Sequence, residues 1–166
     1  MLSRSQCCVV DGGFLSLVRL GLRRPDDPHI LKTLPVWDAV CRKETDCGPC
    51  WYRYNGDGYG EHEDGDPFNG TGKGRLWPIL TGERGHYAIA AGEDVSPYIR
   101  ALECFANEGG CLPEQIWDQA AIPAKGLYPG RGTGSATPLA WAHAEYIRLL
   151  RSRKDGAPFD RPTQLT

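Results

Sequence analysis

Apolar positions along this chain recur mostly at helical spacing. Residues 9–21, VVDGGFLSLVRLG, place Val10, Phe14, Leu17 and Val18 on one stripe, and Gly21 ends the segment. Residues 27–43 open with Asp27 as a cap and Pro28 in the first turn, then align Ile30, Leu31, Leu34 and Asp38. Pro35 inside that run predicts a kink or a delayed start. Residues 74–91 read as a helix interrupted by Gly82 and Gly85, and residues 96–107 start on Ser96 as cap with Pro97 at the first position. Residues 137–153, TPLAWAHAEYIRLLRSR, repeat that opening with Thr137 and Pro138 and carry the clearest helical period of all. Strand signals are poor, and only CWYRY at 50–54 has strand composition. It runs into NGDGYGEHEDGDPFNGTGKG, a long connection of the kind that tends to carry function. The pattern predicts an all-α fold with elaborate loops, one domain over residues 1–166, and a flexible tail at 154–166.

At 166 residues the chain has room for one sizeable core. Charged residues make up 24% and the net charge is −2, which gives no nucleic-acid or polybasic membrane surface. No apolar run reaches 18 residues, so no membrane-spanning helix is expected. The first 21 residues, broken by Asp11, Arg19 and glycines, do not read as a signal peptide. Seven cysteines at scattered spacings fit a reduced, cytoplasmic chain best, with extracellular pairing of six as the alternative. The 21 glycines and 13 prolines make the chain loop-rich, while five tryptophans and seven tyrosines argue for a folded core.

Three short motifs invite chemistry and fall short of it. CGPC (Cys47 to Cys50) has a redox spacing, but WYRYNGDGYG follows it where a helix is needed. A zinc site needs four ligands, and this pair stands alone. GTGKG (70–74) puts Gly74 where a phosphate-binding loop needs a hydroxyl. The acidic run 57–66 offers Asp57, Glu61, Glu63, Asp64 and Asp66 to a cation. Read as a calcium loop from Asn55, it fails at Tyr59 and lacks the final Glu, so a solvated loop is expected. No metal and no cofactor is implied.

LPEQIWD (112–118) sets Glu114 between Pro113 and Gln115, just ahead of large apolar groups. It reads either as a helix cap or as an acid or base whose pKa its surroundings set. Tyr52, Arg53, Tyr54, Asp57, Tyr59, Trp77, Trp117 and Trp141 fall mostly on loops or at helix ends. Aromatic faces with hydrogen-bonding charged groups suit a neutral carbohydrate. The plainer alternative is core aromatics and surface charges.

Order and spacing favour the sugar. The run GPCWYRYNGDGYGEHEDGDPFNGTGKGRLWPILTGERGHYAIAAG, then LPEQIWD, then GSATPLAWAHAEYIRLL resembles the closing part of glycoside hydrolase family 15, in its bacterial glucoamylase and glucodextranase branch. The resemblance runs from about Val9 to Arg151. It implies an arc of an (α/α)6 barrel and an enzyme that releases glucose from the non-reducing ends of α-linked gluco-oligosaccharides and polysaccharides with inversion. Such chemistry uses two carboxyl groups about 6.5–9.5 Å apart, one acting as acid and one as base. The resemblance makes Glu114 the base. It puts Arg53, Tyr54, Asp57, Trp77 and Trp141 on the terminal glucose. Asp11, Asp38 and Glu83 lie in helical segments, outside the family's acid motif, which belongs to an upstream part of the barrel. A chain inactive by itself is therefore expected, with the N-terminal part of the barrel as its partner. The alternative is a non-catalytic carbohydrate-binding remnant, or half of a split enzyme.

Overall fold

The computed structural model describes residues 9–162. A short helix α1 (Leu15–Arg19) leads to α2 (Pro28–Cys41), then to strands β1 (Arg42–Thr45), β2 (Gly48–Tyr52) and β3 (Leu76–Trp77). Helices α3 (Pro78–Ala91), α4 (Ser96–Phe105) and α5 (Ala140–Asp155) follow, with one 3-10 turn at Pro123–Lys125 between the last two. The five predicted helical segments all contain a helix, and α2 begins as read: the Asp27 carboxylate accepts from the His29 N–H, with Pro28 in the first turn. Pro35 sits inside α2 without ending it.

The boundaries moved where tertiary pairing outweighs local pattern. Residues 42–43, expected to finish a helix, instead begin β1, which pairs antiparallel with β2 from Arg42 opposite Trp51 to Thr45 opposite Gly48. Residues 76–77, expected in a helix, pair with β2 through Trp51–Trp77 and Tyr52–Leu76. Thr137 and Pro138 do not start α5. Their peptide bond is cis, and the helix begins at Ala140. Among the described residues the regular structure is thus mostly helical, with a three-stranded sheet that the all-α reading lacked.

Helix α3 is the centre, packed against α1, α4, α5 and β2. Gly82 and Gly85, which weaken the sequence signal for this helix, are where α5 crosses it. A Cβ at Gly82 would lie 2.5 Å from Glu145 Cγ, and one at Gly85 would lie 3.0 Å from Leu149. Leu15, Val18, Ile30, Trp37, Trp51 and Tyr87 bury one core, in which Trp37 stacks on Trp51 at 5.1 Å. Leu17 and Leu31, placed on the apolar stripes by spacing, are exposed, as are Val36 and Val40 on α2.

Cys47, in the β1–β2 turn, is disulfide-bonded to Cys104 on α4, which corrects the expectation of a fully reduced chain. Cys50 is buried, its thiol pushed up to about 12 by burial, so CGPC splits into one bridge and one packed side chain. Cys7 and Cys8 lie outside the described residues. The bridge closes a separation of 57 residues. We expect Cys104→Ser to lower unfolding free energy by about 2–4 kcal/mol, read as a shift in urea midpoint that reductant reproduces in the parent chain.

The segment read as a flexible tail is tied down as far as it is described. Helix α5 runs to Asp155, Pro158 is buried, and the Phe159 N–H donates to Ser152 Oγ at 3.0 Å. Arg161 donates to the Val18 carbonyl at 3.1 Å, and Asp160 accepts from Arg19 at 2.7 Å.

Candidate functional site

The connection between β2 and β3 carries the first part of the site. Arg53 forms a two-pronged bond to Asp57, with Nε–Oδ2 and Nη2–Oδ1 both 2.7 Å. Asp57 is buried and also accepts from the Tyr59 N–H at 3.0 Å. The loop closes on itself because residue 74 is glycine: a Cβ there would lie 2.6 Å from Asp57 Cβ. The Arg53 guanidinium rests 4.9 Å from the Trp77 ring centre, 5.1 Å from Tyr59 and 5.4 Å from Tyr54. Its bond to Asp57 raises its pKa, so this aromatic-caged cation is permanent.

Glu114 comes from a separate segment and caps no helix; residues 111–120 are extended and irregular. That segment is pinned at several points. Glu114 N donates to Ala136 O at 2.8 Å, Gln115 N to Ser135 Oγ at 3.0 Å, and Ile116 N to Leu76 O at 3.0 Å. Gln115 Nε2 donates to Tyr59 O at 3.0 Å, which joins the two loops. Across that junction the Tyr59 hydroxyl donates to Glu114 Oε2 at 3.2 Å. Partial burial, with the adjacent carboxylate, pushes the Tyr59 phenol up, so Tyr59 stays a donor. Tyr59 also packs against Trp77, with ring centres 6.2 Å apart.

Trp141 stands in the first turn of α5, 58% exposed, and shares a cleft of about 240 Å³ with Arg53, Trp77 and Glu83. On the far side of Tyr59 lies a larger cleft of about 420 Å³, walled by Tyr59, Glu61, Phe68, Gln115, Lys125 and Ser135. The structure therefore gathers all six sequence-predicted residues around Arg53 and Tyr59. Tyr54 serves there as a flank of the Arg53 cage. The acidic loop is held by lysines, with Lys73 on Glu63 at 2.8 Å and Lys125 on Asp66 at 2.6 Å. Among the described residues no cluster of three metal-type ligands forms.

Two buried charge clusters were invisible in the sequence. Arg75, fully buried, donates to Asp118 Oδ1 at 2.8 Å and to the carbonyls of Glu61 and His62 at 2.6 Å. Its guanidinium also lies 4.1 Å from the Trp117 ring centre. Asp118 in turn accepts from the Tyr52 hydroxyl, which its own burial and this carboxylate push well up. Arg75 thus fastens the Tyr59 loop to the Glu114 segment.

The second cluster joins α1, α3, α5 and the C-terminal turn. Arg19 meets Glu83 at 2.7 Å, Glu145 at 3.1 Å and Asp160 at 2.7 Å. Burial alone would pull the Arg19 guanidinium down, but Asp160, Glu145 and Glu83 reverse that and hold it above its ordinary value. Burial first, and then the Glu145 charge, raise the Glu83 pKa. Only one oxygen of Glu83 is used. Oε2 is buried without a partner, and so is the Trp77 indole N–H. Leaving such groups unpaired costs about 1–3 kcal/mol each.

Comparison with known proteins defines the class. Residues 4–151 match glycosyl hydrolases family 15, and the chain belongs to that family. It is 53% identical over 154 residues to a glucoamylase of Clostridium sp. (strain G0005), a match that covers 93% of this chain and 21% of that protein. A crystal structure of a bacterial glucoamylase complexed with acarbose superimposes with a TM-score of 0.87 at 51% identity, covering 95% of this chain and 22% of that one. A wild-type glycosidase, 24% identical, shares the fold with a TM-score of 0.64 over 90% of this chain and 37% of its own. The chain thus spans about a fifth of the glucoamylases it matches.

Proposed function

We propose that these residues form the base side of a glucoamylase-type site, built as an arc of an (α/α)6 barrel, in an enzyme that removes glucose from the non-reducing ends of α-glucans with inversion. The observation that carries the reading is the Glu114 carboxylate held by the Tyr59 hydroxyl beside the Arg53–Trp77–Asp57 cage. Glu114 takes a proton from water as the water oxygen attacks the anomeric carbon. The glycosidic oxygen leaves from the opposite face, protonated by a carboxylic acid. That acid, and the other walls of the pocket, come from barrel segments outside these 166 residues. Arg53, Tyr54, Asp57, Trp77 and Trp141 hold the terminal glucose, the tryptophans against its C–H faces and the charged groups at its hydroxyls. Support for the barrel arc comes from the exposed Leu31, Val36 and Val40 of α2 and Ile147 of α5, apolar surface suited to neighbouring helices.

The same exposed apolar surface favours half of an assembled enzyme over a free-standing binding remnant. The test is direct. The purified chain is expected to bind acarbose in calorimetry but to release no measurable glucose from maltose. Glucose release near the rate of a full-length relative, abolished by Glu114→Gln, would overturn the assignment of the acid to another segment. Absence of any acarbose or maltose binding would overturn the sugar site.

A further inference from the structure

The segment that carries Glu114 is tied to the start of α5 through one residue, Leu112. Its carbonyl accepts from the Leu139 N–H at 2.9 Å, and its own N–H donates to His143 Nε2 at 2.9 Å. Leu112 stands two residues before Glu114, and Leu139 two residues before Trp141. This pair of bonds therefore sets the carboxylate and the exposed tryptophan relative to each other. A backbone amide can only donate, so His143 must offer a bare lone pair at Nε2. That fixes the ring as the neutral tautomer with its proton on Nδ1. The other pins of the segment, at Glu114, Gln115 and Ile116, end on the Ala136 carbonyl, the Ser135 hydroxyl and the Leu76 carbonyl. Those groups take up no proton at ordinary pH. The bond at Leu112 is broken by one proton, because an imidazolium has two donors and no acceptor.

His143 is placed to receive that proton. It is half-buried on a cavity of about 260 Å³ that it shares with Leu102, Glu103, Ala106, Leu112 and Tyr146, and Glu103 there is exposed to solvent. The titratable groups around it are Glu103 from α4, Tyr146 from α5 itself, and Cys111 beside Leu112 in the chain. The Tyr146 hydroxyl donates to Glu103 Oε1 at 2.8 Å. Burial, and then that carboxylate, push the phenol up to about 12, so Tyr146 stays uncharged over the range of about pH 5–8 in which histidines change charge.

We propose that His143 is a positioning residue for Glu114: its neutral ring clamps the Glu114 segment to α5, and its protonation releases the clamp. This rests on the sugar-site reading above and adds to it a pH-sensitive joint away from the sugar, since His143 lines neither of the clefts beside Tyr59 and Trp141.

The experiment is maltose titration of the full 166-residue chain at pH 8 and pH 5, with His143→Gln and His143→Ala beside the parent. Glutamine sets a carbonyl oxygen near the place of Nε2, where it accepts from the Leu112 N–H and takes no proton. Between pH 8 and pH 5 the parent is expected to lose about 2–10-fold more affinity than His143→Gln, the worth of one net hydrogen bond. Groups elsewhere titrate in both chains and cancel in that comparison. His143→Ala is expected to show the same loss already at pH 8. Equal pH dependence in the parent and His143→Gln, or parent affinity in His143→Ala at pH 8, overturns the proposal and leaves the sugar site standing. NMR of the labelled parent at pH 8 is expected to show a ring proton on Nδ1 and none on Nε2. As the ring titrates, the Leu112 and Glu114 amides and the Trp141 indole N–H should shift along one curve, whereas a merely structural histidine would move Leu112 alone. A proton on Nε2 at pH 8, or Glu114 and Trp141 signals that stay still, overturns the proposal even where His143→Ala does not fold. If the parent binds no maltose at pH 8, the sugar-site reading fails and this inference with it.

Discussion

Glu114→Gln is expected to cut kcat for maltose hydrolysis by roughly 10²–10⁴-fold, the usual worth of a general base. The assay uses a whole enzyme, obtained by setting these 166 residues in place of the matching segment of the Clostridium glucoamylase. The two chains are 53% identical over that segment. Glutamine keeps the size of the side chain and its carbonyl oxygen still accepts from the Tyr59 hydroxyl, so the ground-state geometry holds. On the proposed role, what it loses is the ability to take the water's proton as the anomeric carbon is attacked. The loss should therefore fall on kcat, with KM changed by less than about threefold. A fall of under tenfold would remove Glu114 from the role of base. Tyr59→Phe is a milder companion. It frees the carboxylate from the Tyr59 hydroxyl without deleting it, and should cost on the order of 10-fold.

The parts of this site that could be read from sequence are those whose chemistry is local. Arg53 and Asp57 lie four residues apart in one loop, and the fork between them needs no distant element. Helix α2 announced its start because its cap and its proline are consecutive residues. The parts that could not be read depend on which distant groups meet. Arg75 precedes a Leu-Trp pair and looks like any surface arginine until Asp118, 43 residues away, closes on it. Residues 42–43 have no strand signal of their own and become strand because β2 offers a paired edge. Gly82 and Gly85 looked like helix breakers, since the helix α5 that requires them is some 60 residues further on. Glu83 was legible only as a carboxylate in a helical segment for the same reason: its partner Arg19 arrives from α1. The family motif singled out Glu114 and the aromatic pattern singled out Tyr59, whereas the bonds that join them, Tyr59 hydroxyl to Glu114 and Gln115 amide to the Tyr59 carbonyl, emerge only from packing.

Arg75→Met is expected to cost about 3–5 kcal/mol, the usual loss when one partner of a buried ion pair is removed. The guanidinium is 0% exposed and serves three acceptors at once, the Asp118 carboxylate and the carbonyls of Glu61 and His62. Methionine fills much of the volume against Trp117, so the loss measures polar groups stranded out of water more than a cavity. Asp118 keeps the Tyr52 hydroxyl as a partner but loses its buried positive charge; Lys43 stays 3.8 Å away and partly in solvent. Urea unfolding should show the midpoint falling at unchanged m-value. Replacing both ends, Arg75→Met with Asp118→Leu, should recover part of the loss, because no unpaired carboxylate is then left inside. The Glu61 carbonyl, deprived of the Arg75 guanidinium, and the orphaned Tyr52 hydroxyl keep the recovery incomplete, while the His62 carbonyl still accepts from the Gly65 N–H. A loss below about 1 kcal/mol for the single change would mean that water reaches Asp118, as at exposed ion pairs. The functional consequence is as specific as the energetic one. Arg75 sets where the Tyr59 loop sits relative to the Glu114 segment, so the single variant should weaken acarbose binding at temperatures where the chain is still folded.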